Sequence, residues 1–273
     1  MLVISALFIY PVKSLGGIAV SSALLTDRGL GHDRRWMLVD GNNRFMSQRE
    51  LPAMALLQVA LEGDALHIYH KARPEQRIAI PLAAPGGDAV MVEVWDDTCA
   101  AQYVSSEADA WLSAMLSVPC RLVYMPDDSM RPVDERYAIN REITSLSDGY
   151  PVLLIGQASL DDLNGRMALP VPMNRFRPNI VCNGSAPFEE DELAHFRVGG
   201  VDFYAVKPCA RCVMVTIDQD TASGAKEPLK TLARYRNKDN KIYFGQNILY
   251  RGSGMIAVGD QMDVMERREG IVF

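Results

Sequence analysis

The stretch ALLQVALEGDALHIYH, residues 55–70, sets the reading of the fold. Two short β-like runs, Ala55–Glu62 and Leu66–His70, are separated by Gly63-Asp64, which supplies turn chemistry. The pattern repeats outward. Leu2–Tyr10, Ile18–Thr26, Arg35–Asp40, Ile78–Pro81 and Met91–Trp95 read the same way, punctuated by Gly16-Gly17, Gly41-Asn42-Asn43 and Gly86-Gly87-Asp88. Many short strands at this spacing point to a barrel or a sandwich.

Beyond residue 100 the pattern changes. Ser106 with Asp109 forms a capping box ahead of an amphipathic run, Ala110–Leu116. A strand is expected at Arg121–Met125, then a long polar loop, Pro126–Ser147, of the kind that is often functional. Ser159 and Asp162 read as caps of a second short helix that runs to about Met167. A strand at Asn179–Cys182 precedes a hairpin, Phe196–Val198 and Val201–Val206, turned at Gly199-Gly200. Val213–Ile217 is a β-branched run, Pro228–Arg236 reads as a short helix, and Met255–Val264 is strand-like. The expected fold class is mainly β (α+β): two β-barrel-like domains, residues 1–115 and 116–273, with a few short helices.

Composition narrows the function. A chain of 273 residues, 48% hydrophobic and 23% charged, can bury a substantial core. Its net charge of -6 argues against a general nucleic-acid surface, so any anion site must be a local basic cluster. No apolar run is long enough to span a bilayer, and LVISALFIYPVKS lacks the basic start and cleavage site of a signal peptide. Five cysteines with one close pair suit reduced thiols in the cytoplasm. Arg268 reads as a surface arginine.

The sharpest local feature is Lys207-Pro208-Cys209-Ala210-Arg211-Cys212. Zinc needs four ligands, and here Cys99, Cys120 and Cys182 stand alone. A redox pair needs a following helix, whereas VMVTID after Cys212 is a strand former. A single thiolate on a soft or high-valent metal, with Arg211 and Lys207 nearby, is a third use. Two small buried side chains leading a strand is the plainest. A second cluster, Arg175-Phe176-Arg177-Pro178-Asn179, can clamp an anion or be a solvated turn. Tyr10-Pro11-Val12-Lys13-Ser14 and Asp33-Arg34-Arg35-Trp36 each place cations at strand ends and are bland alone. No Walker-type or Rossmann glycine pattern is present.

Together, YPVKS, DRRW, NRFRPNIV and KPCARCVMVTIDQDT followed by KEPLKTLARYR resemble the MOSC proteins with an N-terminal β-barrel domain. That group includes bacterial YcbX-type proteins and the mitochondrial amidoxime-reducing component, and the likeness runs from about Ile4 to Val264. The resemblance implies a molybdenum–molybdopterin cofactor (the molybdenum cofactor) with Cys212 as the metal's protein ligand and catalytic thiolate. It implies that Lys13, Ser14, Arg34, Arg177, Asn179 and Arg211 hold the pterin's phosphate and polar edges. Ser147 and Asp148 match a further cofactor-contacting stretch, and Tyr150 stands where a small residue is expected. The implied activity is two-electron reduction of small N-hydroxylated substrates. YcbX-type relatives often carry an iron–sulfur domain, but no C-x₄-C-x₂-C run occurs here, so a separate electron-transfer protein or reductase is expected as partner. The rival implication is a sulfur or cofactor carrier that uses a Cys212 persulfide.

Overall fold

The computed structural model describes residues 1–84 and 86–273. Seven strands close into a barrel. In order around it they are Val152–Gly156, Ile180–Asn183, Leu2–Ile9, Gln261–Arg267, Leu193–Val198, Val201–Ala210 and Lys241–Arg251, which pairs back to Val152–Gly156. The first two are parallel and every other neighbouring pair is antiparallel. Closure depends on Gly245. It adopts φ +82°, and a Cβ there would sit 2.8 Å from the Leu154 carbonyl oxygen, so only glycine lets the two closing strands meet. Ile4, Leu7, Phe196, Phe203 and Ile248 fill the interior.

The other half of the molecule is a half-barrel. Its four-stranded sheet runs Trp36–Val39, Arg121–Tyr124, Asp97–Tyr103 and Ala89–Val94, beside a three-stranded meander of Leu57–Glu62, Ala65–His70 and Arg73–Pro81. The helix Ser106–Leu116 buries Leu112 and Leu116 into the core between them. The fold is thus mainly β, with three α-helices among the described residues. The division expected at residues 115 and 116 is not that of the strand pairing. Leu2–Ile9 is a stave of the barrel made otherwise by residues 152–267, and Ser22–Leu25 pairs with Gly254–Ala257.

Several local expectations are corrected. Ser105, not Ser106, caps the first helix by accepting from the Ala108 N–H, and Asp109 instead accepts from the Leu122 N–H across the turn. The second helix, Gln157–Gly165, has Gly156 at its cap and no side-chain cap; Ser159 is drawn away by Glu190, to which it donates at 2.7 Å. Val213–Thr216 is a 3-10 turn rather than a strand. Arg268 is no surface arginine: it donates to the Asp191 and Ala205 carbonyls and to the Gln246 amide oxygen.

Candidate functional site

Strand ends converge on one cleft of about 880 Å³, its open mouth included. Lys13 and Ser14 follow the first strand, where the Lys13 N–H donates to the Trp36 carbonyl. Arg34 lies just before the strand Trp36–Val39, and its N–H donates to the Tyr10 carbonyl. Arg177 and Asn179 enter the strand Ile180–Asn183. Arg211 and Cys212 leave the strand Val201–Ala210, with the Arg211 N–H anchored on the Ile242 carbonyl at 2.7 Å. Ser147 and Asp148 come from the loop before Val152–Gly156. All nine residues singled out in the sequence line this cleft.

Three of them are held in left-handed backbone that side chains avoid: Ser14 at φ +66°, Arg34 at +49° and Arg177 at +55°. Each such conformation costs on the order of 1–3 kcal/mol, and such strain clusters where a ligand is gripped. The Arg34 and Arg177 guanidinium carbons lie 4.4 and 4.2 Å from the Tyr10 ring centroid. The Tyr10 hydroxyl in turn donates to the Pro178 carbonyl at 3.0 Å, tying the two basic segments together.

Charge in the cleft is lopsided. Six cations line it, Lys13, Arg34, Arg49, Arg175, Arg177 and Arg211, against one carboxylate, Asp148. Lys13 pairs with Asp148 at 2.6 Å, Arg34 with Asp33 at 2.6 Å and Arg175 with Asp218 at 2.7 Å. The other three have no carboxylate within ion-pair distance among the described residues. Arg177 is the extreme case, buried, with one hydrogen bond, to the Leu15 carbonyl at 2.7 Å. Burial brings its pKa down to about 10. A buried guanidinium without a counter-charge is costly, and an anion in the cleft relieves it. Unpartnered donors stand ready too: the Ser47 hydroxyl and the Arg211 guanidinium Nε are buried without a hydrogen-bond partner among the described residues.

Other singled-out residues act at one remove. The Asn179 amide donates to the Phe8 carbonyl and accepts from Arg34 and from the Leu153 N–H, so it is committed to positioning. The Ser147 hydroxyl is likewise used up between Thr144 and the Tyr150 carbonyl. Cys212 is exposed, and Cys209 is half-buried with the Arg211 Nη1 3.0 Å from its sulfur. All five thiols are free, and no three His, Cys, Asp or Glu side chains converge as a metal cage among the described residues.

Desolvation by the crowded cleft wall pushes the Asp148 carboxyl up even though its side chain stays open to solvent, but the Lys13 ammonium and the Trp95 indole N–H at 3.1 Å more than offset this, and it titrates well below its ordinary 3.8. A depressed carboxyl stabilises the fold above its ordinary value and loses that contribution as pH falls toward the folded value. Asp148 is 73% exposed, so the effect is screened and small. The thermal midpoint of the wild type should exceed that of Asp148→Asn by a constant margin above about pH 5, narrowing below about pH 4. A margin that stays flat into strong acid would contradict the pairing.

The sequence did not flag Phe45, Arg49, Trp95 or Arg131. Arg131, 2% exposed, donates to the carbonyls of Ser145, Ser147 and Asp148 and pairs with Asp97 at 2.7 Å. It holds the loop that presents Asp148. Arg131→Met should cost about 2–4 kcal/mol in urea unfolding, because three carbonyls lose their donor. Arg131→Lys should recover less than half, since an ammonium cannot fork to all of them. Wild-type stability in the lysine variant would overturn that account. The one available signal was position, an arginine inside a long polar loop.

Comparison with known proteins gives two family matches: the MOSC N-terminal beta barrel domain over residues 1–119 and the MOSC domain over residues 142–263. The chain is 33% identical to mitochondrial amidoxime-reducing component 1 of Mus musculus, over 94% of this chain and 80% of that one. The same protein of Homo sapiens is 33% identical over 94% and 81%. A molybdenum cofactor sulfurase of Oryza sativa subsp. japonica is 31% identical over 89% of this chain but 32% of its own length.

Proposed function

The chain belongs to the MOSC family, and from that premise we propose that its cleft binds the molybdenum cofactor and that Cys212 is the metal's protein ligand. We infer further that it is the catalytic component of a cytoplasmic reductase of small N-hydroxylated compounds, supplied with electrons by a separate protein. The observation that carries this reading is a buried arginine without a counter-charge, Arg177, in the same cleft as an exposed thiol, Cys212. A pterin phosphate satisfies the first and a soft metal the second.

The bound cofactor supplies the two-electron step, in which R–NH–OH takes two electrons and two protons to give R–NH₂ and water. The chain's own residues do the rest. Arg177, Lys13, Arg34, Ser14 and Arg211 hold the phosphate and polar edges. Asn179 and Ser147 keep the cradle in shape, and Asp148 holds Lys13 charged at the wall. No dinucleotide-binding glycine pattern occurs in the sequence, so reduced nicotinamide is not expected to be oxidised by this chain alone. The test is protein made in a cofactor-competent host, assayed for metal and, with a strong artificial donor, for reduction of an amidoxime. About one molybdenum per chain together with turnover supports the proposal. Neither would sink it.

The second reading, a sulfur or cofactor carrier, is favoured by the exposure of Cys212 and the likeness to a molybdenum cofactor sulfurase. It requires a labile sulfur on Cys212 in metal-free protein, measurable by cyanolysis.

A further inference from the structure

The cleft is lined in part by aromatic rings, Phe45 and Trp95 among them, whose faces neither clamp an anion nor ligate a metal. Val94 and Asp97 are cross-strand partners, so Trp95 and Asp96 form a two-residue hairpin turn. Trp95 holds the first turn position at φ +61°, where such turns favour glycine or asparagine. A bulky side chain there is strained, and the strain is maintained by what the indole touches. Its Nε1 donates to the Asp148 Oδ1 at 3.1 Å, joining the hairpin of the half-barrel to the loop on the barrel side. The Arg49 guanidinium lies 3.9 Å from the indole centroid, and the Phe45 ring 4.9 Å at a 50° tilt. Even so, 42% of Trp95 remains exposed, and it lines the cleft together with Phe45 and Arg49.

A large aromatic ring kept partly open inside a polar cleft has lost burial energy that a flat ligand can restore. We propose that Trp95 is a specificity-determining residue, forming with Phe45 and Arg49 the subsite for the planar body of an aryl N-hydroxylated substrate. This rests on the reductase reading above. Stacking against the indole holds the aryl group while its N–OH end faces the rest of the cleft. Small substrates without a ring gain nothing from this subsite, so the enzyme is selective for aryl over simple hydroxylamines.

The test compares kcat/KM for benzamidoxime with that for hydroxylamine, using cofactor-loaded wild type, Trp95→Phe and Trp95→Gly with an artificial electron donor. Calorimetric Kd values for benzamidoxime are measured alongside. Trp95→Gly suits the turn, so its fold is preserved. In it the aryl-to-hydroxylamine ratio should fall about three- to ten-fold and the Kd should rise by a similar factor. Trp95→Phe keeps a ring without the bond to Asp148 and should stay within about two-fold of wild type on both readouts. A Trp95→Gly protein with the wild-type ratio and Kd overturns the proposal. If its thermal midpoint collapses, Trp95→Asn takes its place, since asparagine suits the left-handed turn position and carries no ring. Should the wild type reduce neither compound, the reductase reading fails, while the Kd comparison still decides the role of Trp95.

Discussion

Cys212→Ala is expected to abolish reduction of N-hydroxylated compounds and to leave less than about one hundredth of wild-type turnover, because the proposed function makes Cys212 the metal's protein ligand. Cys212 is exposed at the start of a 3-10 turn, where its carbonyl accepts from the Val215 N–H and its sulfur has no hydrogen-bond partner among the described residues, so removing the sulfur disturbs little else. Stability should therefore move by less than about 0.5 kcal/mol, which separates a chemical loss from an unfolded one. Cys209 is the control. It is half-buried, and its sulfur lies 3.0 Å from the Arg211 guanidinium, which also donates to the Phe176 carbonyl. Cys209→Ala frees one arm of Arg211 and should cost on the order of 1 kcal/mol of stability while keeping most turnover. Cys212→Ser should retain some metal through oxygen ligation with altered redox behaviour. Full turnover in Cys212→Ala at wild-type metal content removes the central claim. Equal loss in both alanine variants points instead to a dithiol mechanism.

The contrast between the two cysteines shows how far the sequence carried. Cys-Ala-Arg-Cys suggested a thiol site, but which sulfur faces the cleft mouth is set by the end of the strand Val201–Ala210 and the turn after it. That turn was misread because Val213, Val215 and Thr216 are β-branched, a local preference that tertiary packing overrode. The short strands between glycine turns were legible, since alternation and turn chemistry are local. The longest strand, Lys241–Arg251, was not, because Gly245-Gln246-Asn247 in its middle looks like a turn. Its glycine serves a long-range need, the close approach to Leu154 that shuts the barrel. The same holds at the site. Lys13 and Arg34 were bland alone and Arg177 read either as an anion clamp or as part of a solvated turn; only the family resemblance gave them a shared meaning. Their left-handed backbone gives no sign in residues that are not glycine, and Trp95 read as the last residue of a strand rather than a strained turn.

Arg177 carries the second large effect, and its sign differs between binding and stability. The guanidinium is buried, lacks a carboxylate partner and is offset by one carbonyl and the Tyr10 ring. In cofactor-free protein this is a net cost, since the desolvation of a lone buried charge exceeds what one hydrogen bond and a ring face return. Arg177→Met keeps the bulk and removes the charge. Cofactor-free Arg177→Met should be as stable as wild type or more stable by up to about 2 kcal/mol, judged by urea midpoints. With cofactor the order reverses. Loss of a charge-assisted fork to a phosphate, worth about 1.5–3 kcal/mol, should lower cofactor retention at least ten-fold. Arg77→Met is the matched control, because Arg77 pairs with Glu62 on an exposed strand and should change retention by less than two-fold. Arg177→Lys tests the fork: a lysine keeps the charge but not the bidentate geometry, and should fall between the two. Equal retention in Arg177→Met and Arg77→Met would refute Arg177 as an anion clamp. If Arg177→Met instead lost several kcal/mol without cofactor, the residue would be a structural strut, and its left-handed backbone would serve the fold rather than the ligand.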